Sequence, residues 1–495
     1  MKKSLIIIGA GIGGLAAGCY ARMNDYETTV FEMHNLPGGV CTSWKRKGYI
    51  FDGCIHHLAG CAPGSAIYGL WEELGVMPGL NVLFPEDLVS VEEPGGKKLT
   101  LFVDLEKLEQ HVKELASGDS KLVEQYVKAA SAFTRFNMLD LIASNPEVWL
   151  RLIPSLPAIV KWNSISLEKY ATRFSDPFLR KAIPTLQYDN PIAPVGVNLN
   201  MLAGCSNGYF GWPAGGSLEF ARSMEKRYLD LGGVIEYKSR VEKILVEGDR
   251  AIGVRLADGT EHRAGYVISN AYGKTTIFDM LGGCYTSKSI RSFYDRPKDE
   301  VTMGIHVHFG LDRDLSDEPH AIVLFLEEAV EIAGQSRDRL DLELFAFDPS
   351  MAPSGKSVLK AVLETSYSYW RELYGDRERY KEEKSRVADI VSGQLERRFP
   401  CFKEQVEVVD VATPMTTERY TGNSCGFEIT PGHMLRAGFS KKGFRIRLPG
   451  LDNFYMVGQW AGFPSLPNVA VMGRTAIKMI CRRDGKRFVQ NAGTS

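Results

Sequence analysis

An α/β fold that opens on a parallel strand–helix–strand unit is what this sequence predicts, from three local observations. Residues 5–8 (Leu-Ile-Ile-Ile) form a continuous apolar, β-branched run, the composition of a central strand covered on both faces. Glycines follow at positions 9, 11 and 14, the spacing G-x-G-x-x-G. A second strand over 28–31 then ends in Glu32, 18 residues beyond Gly14.

Each piece has a physical task. Gly9 permits the tight turn out of the strand, and Gly11 lets the backbone approach a pyrophosphate. Gly14 lets the following helix, expected from about residue 13 to 23, pack closely on the strand. Ile12 and Gly13 open that helix, so free N–H groups and the helix dipole face an anion. Glu32 is placed to bind ribose hydroxyls. The set predicts a Rossmann-like dinucleotide site. The first 19 residues also resemble a secretion or lipoprotein signal, but a signal has no downstream Glu32 to complete it. Ala16 also stands where a lipobox before Cys19 would carry leucine. The expectation is that residues 1–19 stay on the mature chain.

Composition narrows the function classes. A hydrophobic share of 44% with 24% charged residues is that of an ordinary globular protein rather than a disordered or fibrous one. Lysine plus arginine (59) balances aspartate plus glutamate (60), so no net field draws nucleic acid to the chain. Nine scattered cysteines without a CxxC pair suit a reducing, cytoplasmic setting better than a disulfide framework. His306 and His308 share a strand face, yet no carboxylate–cysteine cluster completes a ligand set, so no metal site is expected. Charge-free stretches at 4–21, 53–71, 190–218 and 456–473 approach membrane-spanning length, but all are glycine-rich. They read instead as backbone that approaches a cofactor and an apolar ligand.

Past the opening unit, Leu36-Pro37-Gly38-Gly39-Val40-Cys41 and Gly48-Tyr49-Ile50-Phe51-Asp52-Gly53-Cys54-Ile55-His56-His57 resemble the flavoproteins that include phytoene desaturases, carotenoid isomerases and retinol saturases, most of all the saturase-like branch. The likeness continues discontinuously along almost the whole chain. It takes in Trp212-Pro213-Ala214-Gly215-Gly216 with a helix over 218–231, the strand that begins at Val241, and Val267-Ile268-Ser269-Asn270-Ala271. At the carboxyl end it takes in Gly458-Gln459-Trp460 and a last helix opened by Leu466-Pro467-Asn468-Val469 and running through Gly473. The resemblance implies one FAD, touched by Gly38, Gly39, Val40, Val241 (holding adenine through its backbone), Asn270, Gly458, Gln459, Val469 and Gly473. Three departures stand out: Val40 occupies a position often filled by arginine, His57 takes one often aromatic, and Gln459 replaces an acid.

The implied architecture is α/β, a Rossmann-like FAD-binding domain (1–87, 201–286 and 443–495) with an interleaved α+β substrate-binding domain (88–200 and 287–442), in which 301–311 and 358–366 read as strands. Residues 149–162 are apolar, broken by proline and flanked by cations, and would either touch a membrane face peripherally or form a buried helix pair. Gly204-Cys205-Ser206-Asn207-Gly208 matches a nucleophile elbow, but Tyr209 to Pro213 cannot be the helix that must follow. Gly355-Lys356-Ser357 lacks the earlier glycine of a P-loop.

The activity the resemblance implies is FAD-dependent oxidation or reduction of a carbon–carbon bond in an apolar isoprenoid-, retinoid- or carotenoid-like substrate. Polyene isomerisation, amine or porphyrinogen oxidation and a flavin-free prenyl-binding escort are the alternatives. No second glycine fingerprint is visible, so electrons pass to or from an external partner, for which NAD(P)H is one candidate. His56 and His57 are the expected proton-handling residues, one of them turned to the substrate because neighbours in a strand face opposite ways.

Overall fold

Five short apolar strands build the sheet that carries the glycine turn. In spatial order they are Val234–Glu236, Glu27–Phe31, Ser4–Ile8, Tyr266–Ser269 and Phe454–Met456, all parallel. Leu5, Ile7, Val267 and Ile268 at its centre are buried on both faces, as their uninterrupted apolar character requires. The architecture is that of a computed structural model, which describes residues 3–143, 152–187, 191–295, 303–424, 446–462 and 464–491.

Register decides what happens at the sheet's edge. Ile8 lies opposite both Phe31 and Ser269, and the Val457 N–H donates to the Ser269 carbonyl at 2.9 Å. Four strands therefore end level. The residues that follow them, Gly9, Glu32, Asn270 and Gly458, emerge side by side at one carboxyl edge, where open parallel sheets hold ligands.

The helix Ile12–Met23 runs back along the sheet, packed against Ser217–Asp230 and Leu466–Arg483. Missing side chains set these distances. A Cβ on Gly18 would stand 2.7 Å from the Tyr228 ring, and one on Gly473 would stand 2.6 Å from the Ala17 nitrogen.

A second, seven-stranded sheet orders Val406–Ala412, Met303–Leu311, Ser357–Thr365, Gln335–Leu344, Ala321–Ile332, Asp87–Glu92 and Lys98–Phe102. Its two faces differ sharply. Ile305, Val307, Leu342, Leu359, Ala361 and Leu363 point one way and pack on Val387, Val391 and Leu395 of the helix Arg377–Arg398. The alternate residues are His306, His308, Lys360, Val362, Asp341 and Glu343, which the register brings together on the opposite face. The hairpin of Ser43–Arg46 and Tyr49–Asp52 lies across that polar face, with a Cβ on Gly310 leaving only 2.7 Å to the Tyr49 ring.

A helical group between residues 105 and 206 closes the remaining side around Leu108, Phe133, Tyr170 and Leu199. Gly204 to Gly208 close the helix Val195–Ser206, so no strand leads into a serine elbow there. Of the stretch 149–162, residues 149–151 lie outside the described residues. The rest forms a turn at Ile153–Ser155 and a helix, Leu156–Asn163, that buries Trp162 but leaves Ile153, Leu156 and Val160 at 57%, 44% and 67% exposure. Among the described residues no helix is long and apolar enough to cross a membrane.

Candidate functional site

A cavity of about 720 Å³ runs from the carboxyl edge of the parallel sheet to the polar face of the seven-stranded one. Its lining gathers Gly9, Gly11, Ile12, Gly13, Glu32, Gly38, Gly39, Val40, Val241, Asn270, Gly458, Gln459 and Val469 from across the chain, together with His56 and His57. Two residues expected among the cofactor contacts are not part of this lining. Gly473 is spent on helix packing, and a Cβ on Gly14 would meet the Gly9 carbonyl at 2.1 Å, so both hold the first helix in place.

The sheet end of the cavity has the chemistry of a dinucleotide seat. Gly11 caps the helix Ile12–Met23 with no side-chain hydrogen bond to its first turn, which leaves those N–H groups to an anion. Space is tight enough to require glycine: a Cβ on Gly11 would lie 2.6 Å from Asn270 Nδ2, and one on Gly13 would lie 2.7 Å from Asn270 Oδ1 and 2.9 Å from the Gly458 nitrogen. Glu32 is 6% exposed and accepts hydrogen bonds from the Ala10 and His34 N–H groups at 2.7 and 2.8 Å. Burial raises its pKa while those backbone donors work against the rise. These residues fit a diphosphate bridged to a ribose. They would hold such a group through backbone N–H donors and the Glu32 carboxylate.

The opposite wall is built around Asp52. Its carboxylate accepts from the Ser217 N–H (2.5 Å), the Ser217 hydroxyl (2.8 Å) and the Cys54 N–H (3.0 Å), and Ser217 Oγ in turn accepts from the Ile55 N–H at 2.8 Å. This clamp fixes the turn that carries His56 and His57. Beneath it the Asp52 carbonyl accepts from His308 Nε2 at 3.0 Å and from Lys360 Nζ at 3.5 Å. Lys360 has no solvent exposure, and its ammonium stands 2.6 Å from Glu343 Oε2. Glu343 Oε1 pairs with His56 Nδ1. Burial alone would raise the Glu343 pKa, but the charges and hydrogen bonds of His56 and Lys360 hold it well below the carboxylate range.

The two histidines do not divide as a strand would divide them. Residues 53–57 form an irregular turn between Tyr49–Asp52 and Leu58–Ala59, so both side chains reach the cavity. Their electrostatics differ instead. Burial, His320 and His56 depress the His57 pKa to about 3, which keeps this ring neutral. The His57 and His320 rings lie 5.8 Å apart, and His320 is tied through Nδ1 to Asp87 Oδ2 at 3.1 Å. His306 lines the cavity, whereas His308 stacks on Phe51 beneath the clamp.

Glu343, Lys360 and His320 were not among the residues expected from the sequence. One signal was available: Lys360 and Glu364 interrupt an otherwise apolar strand at alternate positions, which places a charge on a covered face.

Comparison with known proteins agrees with this geometry. The family profile of an NAD(P)-binding Rossmann-like domain matches residues 7–74. Prolycopene isomerase of Daucus carota is 25% identical over 94% of this chain and 77% of its own. A lycopene-forming phytoene desaturase of Paracoccus is 25% identical over 92% of both chains. Among solved structures, an oxidoreductase from Methanosarcina mazei superposes with a TM-score of 0.57 at 18% identity, covering 96% of this chain and 100% of its own, a likeness of fold. With its level strand ends, glycine cradle and near full-length coverage, the chain is a homologue of the phytoene desaturases, prolycopene isomerases and retinol reductases.

Proposed function

We propose that the protein is an FAD-dependent oxidoreductase that adds or removes hydrogen across a carbon–carbon bond of a largely apolar substrate. The observation that carries this reading is the cavity itself. A dinucleotide seat at one end opens on an apolar wall that includes Leu186, Val197, Met201, Phe210, Val323 and Phe345, with the Glu343–His56 pair alongside. When bound, FAD supplies hydride transfer at N5 of its ring. His56 holds the complementary proton at Nε2 and delivers it to, or takes it from, the second carbon, its ring fixed through Nδ1 by Glu343. His57, kept neutral, packs and shapes the site. The apolar wall orients the substrate and excludes water.

The test is a cofactor spectrum followed by single-turnover kinetics. Purified protein should carry flavin absorbance and release FAD on denaturation. Photoreduced enzyme should be reoxidised by a conjugated alkene under anaerobic conditions. His56→Gln should slow that step on the order of a hundredfold with FAD retained, as loss of a general acid does. A colourless protein, or reduced enzyme reoxidised by no alkene, would overturn the reading. The prolycopene isomerase relative favours one second outcome, rearrangement of a polyene without net electron uptake, which product analysis of the same reaction would reveal.

A further inference from the structure

Two cysteines of the cavity wall face each other across the hairpin that carries the histidine turn. The ladder pairs Ser43 with Asp52 and Trp44 with Phe51, and its last hydrogen bond runs from the Gly53 N–H to the Thr42 carbonyl at 3.1 Å. That bond ties the two segments together one residue after Cys41 and one residue before Cys54, so the two cysteines leave the end of the ladder side by side. Residues facing each other across an antiparallel pair stand roughly 4.5–5.5 Å apart at Cα, inside the range a disulfide spans. Both sulfurs are free thiols and both residues line the cavity, Cys41 directly after Gly38-Gly39-Val40 and Cys54 two residues before His56. Cys41 senses its neighbour: the Cys54 thiol is the foremost cause, ahead of burial, that holds the Cys41 pKa well above its ordinary value.

We infer that Cys41 and Cys54 are a redox-active pair, a second two-electron centre beside the flavin of the proposed function, on which this inference rests. Oxidation breaks both S–H bonds and forms one S–S bond between Cys41 Sγ and Cys54 Sγ, while two electrons and two protons pass to oxidised flavin and reduce it. The reverse reaction returns them. Cys54, partly open to the cavity, is the sulfur that faces the cofactor, and Cys41, buried and donating to the Ser217 carbonyl at 3.5 Å, is its resolving partner. Such a pair stores a second reducing equivalent where the reaction consumes it. Elsewhere in the described chain the cysteines have no such cross-strand partner at the cavity.

Anaerobic dithionite titration of the flavin-loaded protein, with thiols counted in denaturant before and after, tests the pair. Oxidised wild type should take up about twice the reductant per flavin that Cys54→Ala or Cys41→Ser takes. It should show two thiols fewer than the nine in the sequence until it is reduced. Equal uptake in wild type and both variants, with every thiol free in the oxidised enzyme, would overturn the inference. If the purified protein is colourless, the flavin reading fails separately. Thiol counting after diamide then still decides the pair: loss of two thiols, absent in the variants, supports it, and loss of none sinks it.

Discussion

Glu343 Oε2 stands 2.6 Å from the ammonium of Lys360, a lysine without solvent exposure at the centre of a seven-stranded sheet. The buried lysine is tolerable only beside its partly buried carboxylate partner, because removing Glu343 strands the ammonium in a low-dielectric interior. Glu343→Gln is therefore expected to lower folding stability by about 3–5 kcal/mol. Glu343→Gln combined with Lys360→Met should recover much of that loss. Urea denaturation of both singles and the double completes the cycle. Additive losses would mean that the pair is not coupled.

His308 makes stability depend on pH in a definite direction. It has no solvent exposure, and burial with the nearby Lys360 depresses its pKa to about 3, against an ordinary value of about 6.5. Between those values the unfolded chain binds a proton that the folded chain refuses. Stability is thus full above pH 6.5 and falls as pH drops, by about 1.4 kcal/mol per pH unit from this residue. His308→Gln should start less stable, since its bond to the Asp52 carbonyl is lost. Its slope between pH 6.5 and 4 should be shallower than that of wild type, as read from urea midpoints.

The dinucleotide seat separates glycines by task. Gly13→Ala places a methyl group 2.7 Å from Asn270 Oδ1 and 2.9 Å from the Gly458 nitrogen, at the cavity surface, and should weaken FAD retention on gel filtration more than it lowers the melting temperature. Gly473→Ala sets its methyl 2.6 Å from the Ala17 nitrogen, away from the lining, and should do the reverse. Equal effects on both measurements in both variants would remove the distinction.

Glu32→Ala should also reduce FAD retention, and for two reasons. It removes the carboxylate expected to accept from the ribose, and it leaves the Ala10 N–H, now bonded at 2.7 Å, without its acceptor. An abandoned buried donor costs about 1–3 kcal/mol. Glu32→Gln keeps an acceptor and should lie between wild type and alanine.

The exposed Ile153, Leu156 and Val160 make the expectation of peripheral membrane contact testable. Co-flotation with phospholipid vesicles should fall when all three are changed to serine, with FAD content unchanged. Flotation equal to wild type would assign these side chains to another contact.

The dinucleotide seat was legible in the sequence because its signals are local. An apolar run, glycines at fixed offsets and an acid at the next strand's end each carry meaning within a few residues. The packing role read for Gly14 is seen in its press on the Gly9 carbonyl, but nothing local signalled that Gly473, expected at the ligand, is taken up by packing on Ala17, a contact made across more than 400 residues. The polar wall was harder still. Glu343 and Lys360 belong to adjacent strands of a sheet whose inward face is defined only by tertiary packing, and His56 reaches Glu343 across 287 residues. The strand-like alternation expected of His56 and His57 is absent because the Asp52–Ser217 clamp, which bends that segment, joins side chains 165 residues apart.

The level ends of the parallel strands have a consequence for how the protein is made. The edge that seats the dinucleotide takes Gly9 and Glu32 from the start of the chain, Asn270 from its middle and Gly458 from its last tenth. A ribosome adding about 5–20 residues per second has emitted the glycine motif at least 20 seconds or so before the strand Phe454–Met456 exists to close that edge. Binding of a dinucleotide across that edge therefore waits until the strand Phe454–Met456 has been made. Until then the strand Tyr266–Ser269 lacks its neighbour and presents an unpaired sheet edge.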